Sequence, residues 1–158
     1  MTVLLRADIA RGGQLSIDRN SNTISNFAVV TKGITHDERG EFDDKALDEV
    51  IKMGNSFKMG VKSRFGHPNM SSEALGTFLG RVKNFYRDEN IVRADLHIDK
   101  TAHITPNGNL AKYVMDLAES DSDAFGSSMV IHWEPKKRKD ENGKDILPII
   151  EPTKLFAV

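Results

Sequence analysis

The sequence has 158 residues, of which 39% are hydrophobic and 28% are charged, as is usual for one soluble domain with its own core. A formal net charge of −1 argues against a dedicated nucleic-acid binder. The absence of cysteine excludes disulfides, thiolate catalysis and cysteine-ligated zinc, and it fits a cytoplasmic protein. No apolar run is long enough to span a membrane, and Arg6 brings a charge too early for a signal peptide.

Strands are predicted over most of the chain, because apolar and polar residues alternate between turn signals. In chain order they lie at 3–8, 14–18, 24–31, 59–63, 75–86, 91–98, 123–133 and 146–158. Glycines at positions 76 and 80 predict a bend or bulge in the fifth of these strands. The polar segment Gly33–Gly40 is predicted to be a loop, and Pro135–Asp145 a charged turn.

Two helices are predicted between the strands. The first is capped by Asp43 or Asp44 and ends at Gly54. The second covers 109–119, with a buried stripe formed by Leu110, Val114, Leu117 and Ala118. Many strands and two helices predict a strand-rich α+β fold, a mixed or largely antiparallel β-barrel with flanking helices. Neither a repeat nor a linker interrupts the sequence, so residues 1–158 are expected to form a single domain.

The strand at 123–133 carries two adjacent serines after a glycine. Alternation places Ser127 on the large apolar face with Phe125, Met129, Ile131 and Trp133. Ser128 then lies on the opposite face with Gly126, Val130 and His132. An accessible serine on a rigid strand is a nucleophile when a base lies nearby, and otherwise it is an ordinary solvated serine. A bulge at Gly126 would exchange the two serines.

A second stretch, Arg64–Pro68, supplies a histidine. Pro68 cannot donate to a strand ladder and favours an extended backbone at His67. His67 is therefore expected at the end of a strand, facing a loop. Its unperturbed pKa suits a general base for a serine hydroxyl.

The order of these motifs resembles the prohead proteases of tailed phages, the capsid maturation proteases related to the herpesvirus assemblins. The resemblance covers roughly residues 25 to 158. It is carried by Gly33, Asp43, Leu47 and Gly54-Asn55, then Val61 and Phe65-Gly66-His67, then Leu79-Gly80, Val92–Leu96 and Phe125–Met129.

The resemblance implies a serine endopeptidase with an assemblin-like barrel. Its substrates would be the scaffold and the major capsid protein, with self-cleavage in addition, inside the assembling prohead in the cytoplasm of an infected bacterium. The resemblance is compatible with a homo-oligomer. It implies no cofactor, no bound metal, no association with a membrane and no specific nucleic-acid partner. The family usually continues into an Asp-rich segment, whereas this sequence stops at Val158, so a truncated or processed form is expected.

By the same resemblance His67 takes the position of the general base, and the serine after Phe125-Gly126 that of the nucleophile. Ser128 is the first choice and Ser127 the alternative. The resemblance leaves the third catalytic residue open between a histidine and a carboxylate.

Asp95 is the first candidate for this residue, because it lies on the polar face of the clear strand at 91–98. A surface carboxylate paired with Arg93 or Lys100 is an equally good interpretation. His97 or His132 would instead make a Ser-His-His arrangement.

Two other classes of protein compete with the protease. Asp95, His97 and Asp99 share one strand face, and with His67 and His103 they are residue types that bind zinc or another divalent ion. The alternation of any half-exposed strand explains them more simply. The other competitor is a capsid-assembly module that keeps the fold and lacks catalysis. The basic run Pro135–Lys139 is interpreted as a solvated turn.

Overall fold

The computed structural model describes residues 2–6, 15–35, 37–65, 77–122, 125 and 127–158, and only the backbone of residues 2–6 and 128. The elements, in chain order, are β1 (Thr2–Arg6), β2 (Ser16–Asp18), β3 (Thr23–Thr31), β4 (Gly33–Ile34), β5 (Glu41–Phe42), α1 (Asp44–Ser56), β6 (Val61–Phe65), β7 (Thr77–Asp88), β8 (Ile91–Ile98), a 3₁₀ helix (Lys100–His103), α2 (Leu110–Ser120), β9 (Ser128–Lys139) and β10 (Asp145–Ala157). No helix in this part of the chain is long and apolar enough to cross a membrane.

The strands form two five-stranded sheets. One has the order β1-β9-β10-β5-β4 and the other β2-β3-β8-β7-β6. Neighbouring strands are antiparallel, except that β10 and β5 run parallel. The prediction of a strand-rich α+β fold with two helices is confirmed.

The predicted closed barrel is not found in the described residues. Closure needs a continuous ladder at every strand edge, and the two sheets are instead joined by isolated hydrogen bonds. The Val158 N–H donates to the Lys62 carbonyl at 3.1 Å. On the other side, the Ser127 hydroxyl donates to the Ala28 carbonyl at 2.7 Å.

One hydrophobic core joins both sheets and both helices. Its most completely buried side chains include Ile24, Leu47, Val82, Val92, Met129, Ile131, Ile150 and Leu155. The core face predicted for β8 is confirmed, since Val92, Ala94, Leu96 and Ile98 are all buried, although Arg93 on the opposite face is buried as well. The core therefore holds the start of β9 against the second sheet.

Helix α1 begins as predicted but ends later. The Asp43 carboxylate caps it by accepting from the Ala46 N–H at 2.8 Å. The helix continues past Gly54 to Ser56. A Cβ at Gly54 would lie 2.5 Å from a ring carbon of Phe85, so this glycine allows the helix to pack on β7 and does not end it.

Two predicted loops contain strands. Gly33–Ile34, at the start of the predicted loop Gly33–Gly40, is a strand that pairs with Glu41–Phe42 just after the loop. The basic run Pro135–Lys139 lies in β9 and not in the turn, which begins only at Asp140. Strand alternation therefore divides its basic side chains between two faces, and Arg138 forms an ion pair with Glu41.

Candidate active site

The described side chains of β9 keep the predicted alternation. Met129 and Ile131 are fully buried and Trp133 is nearly so, whereas Val130 and His132 are half-buried. Ser127 precedes the strand on the core side, and its hydroxyl donates to the backbone carbonyl of Ala28 in β3. This bond is what the packed environment of that serine predicts.

Ser128 is the first residue of β9, and its backbone lies opposite Arg6 of β1. On the other edge of β9, the pairing with β10 reaches only Val130, which lies opposite Ala157. The side chain of Ser128 and all of Gly126 lie outside the described residues, so the choice of Ser128 over Ser127 stays a prediction.

His67 also lies outside the described residues. Strand β6 ends at Phe65, which pairs with Thr77 at the start of β7, and His67 belongs to the segment between these two residues. Its assignment as the general base stays a prediction.

Among the described residues, the Asp95 carboxylate accepts hydrogen bonds from two partners, and neither is Arg93 or Lys100. One carboxylate oxygen accepts from the Asn26 N–H at 3.1 Å, and the other from the Asn84 side-chain amide at 3.0 Å. Asp95 therefore links β8 to both neighbouring strands, β3 and β7. These bonds hold the carboxylate in one place. A residue that orients the catalytic histidine needs such a fixed position, but a carboxylate with a purely structural role would have it too.

The surroundings of Asp95 were not predicted from the sequence. Asn26 and Asn84 both have positive φ, at 66° and 58°, and each lies at a register shift against β8. Asparagine tolerates this conformation better than most residues. An asparagine that interrupts the alternation of a predicted strand was therefore the available sign of a bulge.

Arg93 and Tyr86 complete this network on the same sheet. Arg93 is buried, with its Nε donating to Asp88 at 2.7 Å and its Nη1 to the Asn26 carbonyl at 2.9 Å. The Tyr86 hydroxyl donates to the Asn26 side-chain oxygen at 2.5 Å, and burial raises the pKa of Tyr86. The residues around Asp95 are thus held by several hydrogen bonds.

The two histidine alternatives lie in different places. His97 is exposed on β8, with Nδ1 3.5 Å from the Thr23 hydroxyl. His132 packs edge-on against Phe156, with ring centroids 4.9 Å apart. At about 3.3 Å per strand residue, His132 is roughly 13 Å from Ser128 along β9. Direct contact with Ser128 is therefore excluded, and any catalytic part for His132 would act through His67.

The described residues contain no group of three histidine, aspartate or glutamate side chains that could hold a metal ion. Asp99, one of the suggested ligands, caps the 3₁₀ helix. It accepts from the Thr101 hydroxyl at 2.5 Å and from the Thr101 N–H at 3.0 Å. These bonds lower the pKa of Asp99.

No protein-family model matches the sequence. No curated protein matches it either. Among solved structures, the chain is similar to the bacteriophage T4 capsid assembly protease, gp21, with a TM-score of 0.55 and 9% sequence identity. The match covers 99% of this chain and 94% of that one. The chain therefore shares, over nearly its whole length, the fold of a phage capsid assembly protease.

Proposed function

We propose that this protein is a serine endopeptidase of phage prohead maturation. The observation that carries the proposal is the fold likeness to a capsid assembly protease over 99% of the chain. The position of Ser128 at the first residue of β9 agrees with it, because a strand gives a nucleophile a rigid base. The relation to the herpesvirus assemblins rests on the order of the sequence motifs.

In the proposed reaction, His67 takes the proton of the Ser128 hydroxyl as its oxygen attacks the peptide carbonyl. The protonated histidine then gives this proton to the leaving amine, and an acyl-enzyme remains. Water, activated by the same histidine, hydrolyses the ester. Asp95 is the first candidate to hold the histidine in the required tautomer.

The proposed substrates are segments of the scaffold and of the major capsid protein, and the chain itself. Cleavage would take place inside the assembling prohead in the cytoplasm of the bacterial host. These assignments are supported by the fold likeness to a protease of capsid assembly and by the motif order in the sequence.

The test combines a serine-reactive phosphonate probe with a cleavage assay on a proteome-derived peptide library. We expect a single adduct by intact-protein mass spectrometry, mapped to Ser128 by peptide sequencing, and cleavage that the adduct abolishes. A folded protein that forms no adduct and cleaves no peptide, even after incubation a hundredfold longer than a reference serine protease needs, would refute the protease. It would support the capsid-assembly module that keeps the fold without catalysis.

A further inference from the structure

Strand β1 lies directly beside the proposed nucleophile. It is an edge strand of its sheet, and among the described strands it pairs with β9 alone. The register sets Arg6 opposite Ser128, Leu4 opposite Val130 and Thr2 opposite His132. Residues 2–6 thus run as an extended segment along β9 and reach the candidate serine at their last residue.

The other edge of β9 is already covered by β10. Their ladder extends from Lys139, opposite Asp145, to Val130, opposite Ala157. A further extended segment can therefore pair with this part of β9 only on the side that β1 occupies. At Ser128 itself, the paired residue on that side is Arg6.

We infer that β1 occupies the place of the substrate and must leave β9 before a peptide can be cleaved. An extended peptide adds to an exposed strand edge through main-chain hydrogen bonds, whatever its side chains. A peptide in the place of β1 would run antiparallel to β9 and bring its main chain to Ser128. This inference rests on the proposed function, since it names what competes with the substrate at the same site.

The size of β1 makes such an exchange feasible. The strand has five residues and pairs along one edge, whereas β10 has 13 residues and extends along most of β9. Short edge strands are held less firmly than strands paired on both sides. If β1 is docked for 90–99% of the time, the apparent affinity for a peptide falls by roughly ten- to a hundred-fold.

A disulfide across the two strands tests this in the full chain, which has no cysteine of its own. The variant Leu4→Cys/Val130→Cys would hold β1 on β9, since directly opposed residues of antiparallel strands have Cα atoms about 4.5–5.5 Å apart, within the range that a disulfide spans. We expect the oxidised form to label at least tenfold more slowly with the phosphonate probe, and reduction to restore the rate. The control Lys139→Cys/Asp145→Cys, at the far end of the β9–β10 ladder, should label equally in both redox states.

Release of β1 should have the opposite effect. Leu4→Pro and Leu5→Pro are made separately, because the N–H groups of adjacent strand residues point to opposite edges. One of the two therefore removes a bond to β9, and the other serves as its matched control. We expect the first variant to label at least tenfold faster than wild type. It should also bind a fluorescent peptide of residues 1–8, measured by anisotropy, at least tenfold more tightly than wild type.

The two proposals fail in different ways. If Ser128 is labelled at the same rate in the oxidised and reduced cysteine pair, β1 is no competitor and the protease stands. If no form is labelled, including the proline variants, the protease fails. Peptide binding measured by anisotropy is then the remaining test of whether β1 blocks the edge of β9. Tighter binding of the peptide by one proline variant supports the inference, and equal binding by wild type and both variants overturns it.

Discussion

At the scale of single residues, the two adjacent serines should respond differently to substitution by alanine. Ser128→Ala should abolish probe labelling and cleavage with little change in the free energy of unfolding. Ser127→Ala should retain cleavage but lose the bond to the Ala28 carbonyl, at a cost of about 1 kcal/mol. Labelling measures the first effect and urea unfolding the second. A probe that labels Ser127 in wild type and in Ser128→Ala would exchange the two assignments.

His67 is the second residue with a sharp expectation. His67→Ala should remove cleavage, by about four orders of magnitude or more, because the hydroxyl loses its proton acceptor. The circular dichroism spectrum and the unfolding midpoint should stay near wild type. His103→Ala is the matched control, since His103 lies in the 3₁₀ helix beyond β8 and has no part in the proposed reaction. Comparable cleavage by both variants would contradict the assignment of His67.

Asp95 needs an experiment that separates catalysis from packing. Asp95→Asn should lower kcat by more than tenfold but less than loss of the base, because the histidine tautomer is disturbed. Asn84→Gly removes the amide donor to Asp95 and tolerates the positive φ of 58°. It should therefore lower stability and reduce kcat much less than Asp95→Asn does, since the Asn26 N–H still holds the carboxylate.

Parallel losses of kcat and of stability in Asp95→Asn and Asn84→Gly would assign Asp95 to the fold alone. A silent Asp95→Asn combined with a severe His97→Ala or His132→Ala would instead favour a Ser-His-His arrangement. The kinetic and unfolding measurements are made on the same preparations, so that the two effects can be compared variant by variant.

At the scale of elements, Gly80 is required by the close approach of β7 and β8. A Cβ at this position would lie 2.1 Å from the His97 carbonyl oxygen, and a backbone atom cannot move aside without opening the ladder. Gly80→Ala should lower the free energy of unfolding by about 1–3 kcal/mol. Gly143→Asn should be nearly neutral, since nothing lies within 4 Å there and asparagine tolerates its φ of 75°. Equal urea midpoints for the two variants would contradict this account.

The sequence predicts helices and strands well where a single local pattern determines them. Strand β8 has the predicted bounds, and α2 begins one residue after its predicted start at Asn109, which caps it through the Lys112 N–H at 3.0 Å. The prediction that α1 ends at Gly54 was wrong, because the role of this glycine is set by its contact with Phe85, which is distant in the sequence. Neither the pairing of β1 with β9 nor the partners of Asp95 has a local sign in the sequence, because each joins distant parts of the chain.

The candidate site, too, could be predicted from the sequence only where a local pattern determines it. The strand that carries Ser128 and the bond from Ser127 to a nearby backbone follow from alternation alone. The choice of the third catalytic residue depends on which strands lie side by side around His67, and no spacing in the sequence encodes that. Asp95 was therefore the first candidate, with His97 and His132 as alternatives, and the three have different neighbours in the structure.

At the scale of the whole molecule, exposed carboxylates tie both helices to the same sheet. In α1, Asp44 pairs with Arg87 of β7 and, at 3.1 Å, with Lys32. In α2, Asp116 pairs with Arg19, which follows β2, at 2.8 Å. Hydrogen bonds hold the pKa of both carboxyls below the ordinary value of 3.8, from Lys32 and Arg87 in the case of Asp44 and from Lys112 and Arg19 in the case of Asp116.

These lowered pKa values predict a specific loss of stability in acid. Because the unfolded chain takes up protons at a higher pH than the folded protein, the contribution of both carboxylates is complete above about pH 5 and declines as the pH falls below about 4. Urea unfolding midpoints of wild type and of Asp44→Asn/Asp116→Asn should therefore differ at neutral pH and converge in acid. Glu141→Gln is the control, since Glu141 has no ion pair with the described residues. A wild-type advantage that stays constant down to about pH 2.5 would show that these ion pairs do not hold the helices to the sheet.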